Sequence, residues 1–531
     1  MRSTSQASYD LTALNTHLQS VVRPDTPGAV PPPNGQDDVA TTPSAPAQQL
    51  GHRALSLGAA NAFDFAIQFL LPVVLTRCLD PAAFGEYRLL WLVAGTVIAV
   101  ATLCMPGSLY YYLPRSDATQ KRMYVNQTLL FLFFAGLVSG WAVSSWNPWL
   151  PQQLHDLAQH GAIMPAFIVM VIVASLLDVL PTVEERVNWQ AKATVSLALL
   201  RAGALSLAAA LTGELAPVLL VLLVFVIFKV VVLFVYIARF HGLRGPVVHW
   251  RSFADQLVYA APFGAAGALY GLRTQSDQWV AAALFPLGTF AAFSIAAVLG
   301  PLMNLFRQSV NNAFLPIMSR RHAMGDIPSM LELNSRGNVM VGAIVFPLFY
   351  FAFAFAEDLI TLVYTATYLD AVPVVRVYIV GIAALVLELS GITLLLRQAP
   401  FVMAVNVVGL ILAVALNWYA AVNIGLAGAA MGSVIVMCID RVITLWRISF
   451  LTGVPIRQLQ DWKTLALLAL FSIVATVLAW AVSVLYFAGT GPIVRILVGG
   501  VVLLSGYAAM AALSGTSRTW LSAVRSRQHE L

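Results

Sequence analysis

From Arg53 to Leu513 the chain is one apolar segment of about twenty residues after another, with only short polar loops between. A backbone in hydrocarbon must satisfy its own N–H and C=O groups, so such segments are either helices or strands of a closed barrel. Barrel strands need only about ten residues, and segments twice that length therefore predict helices. We expect fourteen, near 54–78, 86–109, 123–146, 162–183, 191–212, 215–238, 255–281, 287–311, 337–356, 372–396, 399–420, 425–447, 464–487 and 491–513. Composition agrees: 59% of residues are hydrophobic and 10% charged, against about a quarter charged in soluble domains. The expected fold class is an all-α integral membrane protein.

Lysine and arginine alternate from loop to loop. The connections at 146–161, 212–215, 284–287, 357–370, 422–425 and 488–492 contain neither residue. The alternate connections carry Arg115, Lys121 and Arg122, then Arg186, Arg239, Arg320, Arg321, Arg336 and Arg447 among others. By the positive-inside rule these basic loops and both termini face the cytoplasm. The net charge of +6 thus reflects loops beside anionic lipid, and no nucleic-acid partner is expected. Residues 1–52 are polar and proline-rich, without the apolar core of a secretory signal, and are expected to form a disordered cytoplasmic tail.

Charges inside the spans mark the candidate site, because each costs about 2.5–3.5 kcal/mol near the bilayer centre unless it faces a cavity or a partner. Span 1 places Asn61, Asp64 and Gln68 on one helix face. Span 7 carries Arg273 and Asp277 one turn apart, either a self-neutralising pair or part of a hydrated cavity. Span 8 repeats the polar spacing in Asn304, Arg307 and Asn311, with Arg307 able to line a cavity or reach back to the surface. Lys229, Asp440 and Arg441 lie nearer cytoplasmic ends and read as snorkelling side chains, whereas Arg201 and Glu388 each stand alone on their spans. Arg77 and Arg88 depart from the charge bias on the outer side; they could receive an anionic headgroup or pair with Asp80 and Glu86. Tyr110, Tyr111, Tyr112, Trp141, Trp146 and Trp149 fit interfacial anchoring, and Gly428 with Gly432 fits close helix packing.

Other chemistries find little support. There is no phosphate-loop motif for ATP hydrolysis, the eight histidines fall outside the spans, and Cys78, Cys104 and Cys438 form no metal-binding spacing. No cofactor, metal or catalytic constellation is expected.

Two turns on the outer side resemble each other: Leu79-Asp80-Pro81-Ala82-Ala83-Phe84-Gly85-Glu86-Tyr87 and Phe285-Pro286-Leu287-Gly288-Thr289-Phe290-Ala291-Ala292-Phe293. Together with Asp277 and the exit from span 8, Phe314-Leu315-Pro316-Ile317-Met318-Ser319-Arg320, they make the chain resemble the polysaccharide (O-antigen type) flippases of the multidrug/oligosaccharidyl-lipid/polysaccharide exporter superfamily. At the second turn Ala291-Ala292-Phe293 departs from the family's usual glycine and tyrosine.

The resemblance implies about 14 transmembrane helices, as two pseudo-symmetric six-helix lobes plus two C-terminal helices. Its division of the chain is 1–52 tail, 53–240 first lobe, 241–254 linker, 255–450 second lobe, 463–513 extra helices and 514–531 tail. It implies translocation of an undecaprenyl-pyrophosphate-linked oligosaccharide across the bacterial inner membrane, through a cavity lined by spans 1, 2, 7 and 8. The candidate substrate-binding residues are Asp64, Gln68, Arg77, Arg88, Arg273, Asp277, Asn304 and Arg307. Lipid-linked oligosaccharide and membrane lipids are the expected partners, with a polysaccharide polymerase and a chain-length regulator as further candidates. The alternatives are a multidrug antiporter of the same superfamily and a membrane-embedded glycosyltransferase or polymerase. The first would favour an acidic cavity, and the second would need a large outer loop that this chain lacks.

Overall fold

A computed structural model describes residues 45–242 and 248–513. The tails at 1–44 and 514–531 and the centre of the linker, 243–247, lie outside the described residues. The described residues from His52 onward form one compact unit.

All fourteen expected segments are helical. Among the described residues eleven helices are long and apolar enough to cross a membrane, and the chain is a multi-pass membrane protein. In the first lobe the helices are α1 (Ala45–Cys78), α2 (Pro81–Ala101), α3 (Met105–Tyr112), α4 (Ala118–Ala142), α5 (Ile163–Ala174), α6 (Val187–Thr212) and α7 (Leu215–Phe240). In the second they are α8 (Trp250–Leu284), α9 (Leu287–Ala296), α10 (Leu299–Ala323), α11 (Ile327–Ala354), α12 (Ala356–Val363), α13 (Ala371–Leu385), α14 (Ser390–Leu395), α15 (Ala399–Ile424) and α16 (Leu426–Thr452). The appended pair is α17 (Trp462–Phe487) and α18 (Pro492–Leu513).

The main difference from the expected spans is that four are interrupted, the fourth span by a 3₁₀ turn at Ser175–Asp178. The second breaks between α2 and α3 at Leu103 and Cys104, both with positive φ. The eighth breaks between α9 and α10, and the tenth between α13 and α14. Apolar length does not reveal such breaks, because a broken span is as hydrophobic as an intact one. Broken helices are tolerated at membrane depth only where their freed backbone groups find partners.

The two similar turns, 79–87 and 285–293, pack against each other. Asp80 starts α2 by accepting a hydrogen bond from the Ala83 N–H at 2.8 Å, with Pro81 in the first helical position. Loss of this cap in Asp80→Asn would be small, whereas Asp80→Ala is expected to lower stability by about 1 kcal/mol, readable as a shift in thermal unfolding in detergent. A Cβ on Gly85 would lie 2.0 Å from the Leu287 carbonyl oxygen, so only glycine permits this approach. Reciprocally, Gly288 faces Pro81. Below the turns, the Trp279 indole N–H donates to Thr96 Oγ1, which donates to Gln275 Oε1, both at 2.8 Å.

At the opposite, basic end the lobes meet again. Gln256 of α8 is fully buried and bonds Gln127, Ser108 and Thr128 of α3 and α4 at 2.6–2.9 Å. Gly428 and Gly432 admit the backbone of α15 against α16, as their spacing predicts.

Glu184, in the basic loop between α5 and α6, ties the end of α7 to its own lobe. Burial would raise its carboxyl pKa, but hydrogen bonds from His241 and Tyr236, aided by the charges of His241 and Arg186, hold it below the ordinary value of 4.5. A carboxylate depressed in the folded state stabilises above its unfolded pKa, and that contribution is lost as pH falls through the folded value. Wild-type thermal stability should therefore drop more steeply below pH 4.5 than that of Glu184→Gln, as followed by detergent melts across pH.

Candidate functional site

A cavity of about 650 Å³ lies within the second lobe, walled by α8, α10, α13, α15 and α16 and by the break between α13 and α14. Its charged lining consists of Arg273, Arg307 and Arg441 with Asp277, Glu388 and Asp440. Cations and anions are equal in number, and most are paired across helices.

Arg273 reaches from α8 to α16 and α15, donating to Asp440 Oδ2 at 2.8 Å and Asn406 Oδ1 at 2.9 Å. Its partner is therefore not Asp277, although that residue is one turn away. Asp277 is buried and accepts from the Tyr378 hydroxyl at 2.7 Å and the Gln278 N–H at 2.8 Å. Arg307 donates through Nε to Glu388 Oε2 at 2.7 Å, bonds the same oxygen again through Nη2, and touches Asn304 at 3.3 Å. Asp440 and Arg441 do not snorkel but line the cavity. Arg441 donates to the Leu387 carbonyl at 3.3 Å and lies 3.9 Å from Asp440, while its buried Nε has no hydrogen-bond partner among the described residues.

The broken tenth span holds Glu388 in place. Glu388 N–H donates to Asn338 Oδ1 at 3.0 Å and its carbonyl accepts from Asn334 Nδ2 at 2.8 Å. Both amides bond Gln460, at 3.0 and 3.1 Å, behind the cavity wall. The N–H and carbonyl of Glu388, freed by the break, are thus repaired by side chains from α11. Asn338→Leu strands the Glu388 N–H and should cost about 1–3 kcal/mol, visible as a lower melting temperature of the purified chain.

Of the eight candidate residues, Arg273, Asp277, Asn304 and Arg307 line this cavity, and Asp64, Gln68, Arg77 and Arg88 lie outside it. Asp64 is bridged to Arg201 of α6 at 3.2 Å and accepts from Gln68 at 2.7 Å, so the span 1 stripe is balanced within the first lobe. Arg77 donates to the carbonyls of Val363 and Leu362 at 2.6 and 2.7 Å, capping the end of α12 across the lobe boundary. Arg88 donates to the Ser294 carbonyl at 3.0 Å. Neither uses Asp80 or Glu86: Asp80 caps α2, and Glu86 pairs with His160 at 2.8 Å. Lys229 likewise pairs with Asp178 rather than snorkelling free. Glu388, Asp440 and Arg441 are the cavity residues that single-span reading missed. The available signal was their charge within apolar segments, but their partners lie on other spans.

Interrupted helices around a cavity that holds paired charges inside a helical bundle are an arrangement found in membrane transporters. Comparison with solved structures agrees at the level of fold. A structure described as lipid II flippase MurJ in an inward closed conformation superposes with a TM-score of 0.65 at 13% identity, covering 87% of this chain and 99% of that one. An inward-facing multidrug resistance MATE family transporter of the MOP superfamily gives a TM-score of 0.55 at 12% identity, covering 73% and 96%. No curated protein sequence matches the chain. The family model for polysaccharide biosynthesis proteins matches residues 50–322. The chain belongs to that family.

Proposed function

We propose that the protein is a flippase that moves a polyprenyl-pyrophosphate-linked oligosaccharide between membrane leaflets for surface polysaccharide assembly, with the basic loops and both termini cytoplasmic. The observation carrying this reading is that three guanidinium groups from three helices converge on one cavity, two of them held by carboxylates. Guanidinium binds carboxylate and phosphate through the same planar fork. A pyrophosphate can therefore replace Asp440 on Arg273 and Glu388 on Arg307, while the unpartnered Nε of Arg441 supplies a further donor. The resting pairs keep the empty site neutral and ordered, and the anion gains contacts that these pairs already shape. The polyprenyl chain stays in lipid beside the bundle.

Membership of the polysaccharide biosynthesis family and the fold shared with a lipid II flippase support this reading. The test is Arg273→Ala at matched membrane expression. Surface polysaccharide should fall at least tenfold, as when a buried charge-assisted contact is lost, and undiminished polysaccharide would refute the role. The three carboxylates of the cavity favour one second reading, a multidrug antiporter for organic cations. It predicts dye resistance on expression and no polysaccharide phenotype.

A further inference from the structure

The face of α8 that lines the cavity continues beyond it. Tyr259, Phe263, Tyr270, Arg273 and Asp277 lie at offsets of 0, 4, 11, 14 and 18 residues, which a 3.6-residue repeat brings within about 40° of one line. Tyr270, Arg273 and Asp277 face the cavity, so Phe263 and Tyr259 extend the same wall toward the basic end. From Arg273 to Tyr259 the helix rises about 21 Å. Across the lobe boundary α3 supplies Tyr111, stacked on Tyr259 at 4.7 Å and 27°, with the Arg115 guanidinium 4.0 Å above it.

These rings are not ordinary interfacial anchors. Tyr259 is gripped between lobes by Tyr111 and Tyr112 and touches Phe263 at 5.5 Å. Yet Phe263, Tyr270 and Tyr111 keep 58%, 51% and 41% of their surface open. Between Phe263 and Tyr270, Gly267 has open space where a side chain would start. The wall therefore offers aromatic faces at intervals, with Tyr hydroxyls and Thr274 at their edges. A sugar ring needs that combination, because its C–H faces pack on an aromatic plane while its rim of hydroxyls needs polar partners.

We propose that Tyr259, Phe263 and Tyr270, with Tyr111 backing Tyr259, form a stacking track for the sugar rings of the lipid-linked substrate, continuous with the cavity that takes its pyrophosphate. This rests on the flippase reading and adds to it the part that reads the oligosaccharide. One end of the substrate is fixed by charge at Arg273. The other is graded by ring contacts along roughly 21 Å of helix, the reach of a short oligosaccharide.

The experiment measures binding of two probes to the full chain in nanodiscs: polyprenyl pyrophosphate bearing a tetrasaccharide, and the same lipid without sugar. Wild type should prefer the sugar-bearing lipid by about tenfold, from several ring contacts. Replacing Tyr259 and Phe263 together with Leu should remove most of the preference and leave sugar-free binding unchanged. Phe263→Trp alone keeps an aromatic face and should retain the preference, which guards against a misfolded double variant. Equal affinities in wild type, or loss of both probes in proportion with Phe263→Trp behaving likewise, would overturn the track. Sugar-free binding with no sugar preference leaves the flippase reading standing and rejects the track, whereas no binding of either probe by wild type rejects both.

Discussion

Arg307→Ala is expected to lower the stability of the protein by about 3–5 kcal/mol and to abolish polysaccharide export. The stability loss arises because Glu388 is left buried with its charge uncompensated. In the wild type Glu388 accepts two bonds from Arg307 and further bonds from the backbone and hydroxyl of Ser390. Removing the cation but not the carboxylate is the costly change, because desolvation of the remaining ion is no longer offset. Adding Glu388→Gln should recover much of the stability, since a neutral amide tolerates the same site. Export should stay absent in the double variant, because the donor fork for pyrophosphate is gone. Thermal unfolding in detergent, paired with surface polysaccharide in cells, reads both arms. Export restored along with stability would mean that Arg307 matters only to folding.

Gly85→Val should be comparably damaging for a different reason. Its first carbon alone would stand 2.0 Å from the Leu287 carbonyl oxygen and 2.6 Å from the carbonyl carbon, and both are backbone with no rotamer to yield. The two turns must separate, displacing Phe84 and Phe290, which are fully buried near this junction. Overpacking of a tight core costs about 1–3 kcal/mol and more where the obstacle is backbone. The expected result is low yield of a protein that melts early. Gly288→Ala is the control: its Cβ would meet Pro81 at an ordinary 3.6 Å, so stability should hardly move. Equal effects from both would show that the turns are not in contact as described.

The helices, their approximate limits and the resemblance of the two turns were legible in the sequence, because apolar length and turn chemistry are local properties. Asp80 followed by Pro81 announces a helix start by itself. The breaks at Leu103–Cys104 and 386–389 were not legible, since the spans stay apolar enough overall to read as continuous and repair comes from elsewhere, as Asn334 and Asn338 show for Glu388. The same non-locality governs charge. Arg273 has a carboxylate four residues away and instead bonds one 167 residues away. Helix spacing says which side chains share a face, whereas packing of other helices decides which of them meet. Asp440 and Arg441 read as snorkelling when depth is judged along one span, whereas the cavity that receives them is built by six helices. Asp64 shows the converse: a charged stripe on one span was balanced by Arg201 within its own lobe and not by the second lobe's cavity.

The most direct test of a pyrophosphate-gripping flippase is transfer of substrate across a membrane by the pure protein. Proteoliposomes containing a fluorescent polyprenyl-pyrophosphate oligosaccharide would be exposed to an impermeant glycosidase that trims only the outer leaflet. With wild-type protein, trimming should pass the half reached in protein-free vesicles and approach completion, and Arg273→Ala should return it to that half. Trimming that stops at half with wild-type protein, or that runs to completion with Arg273→Ala, would contradict the account.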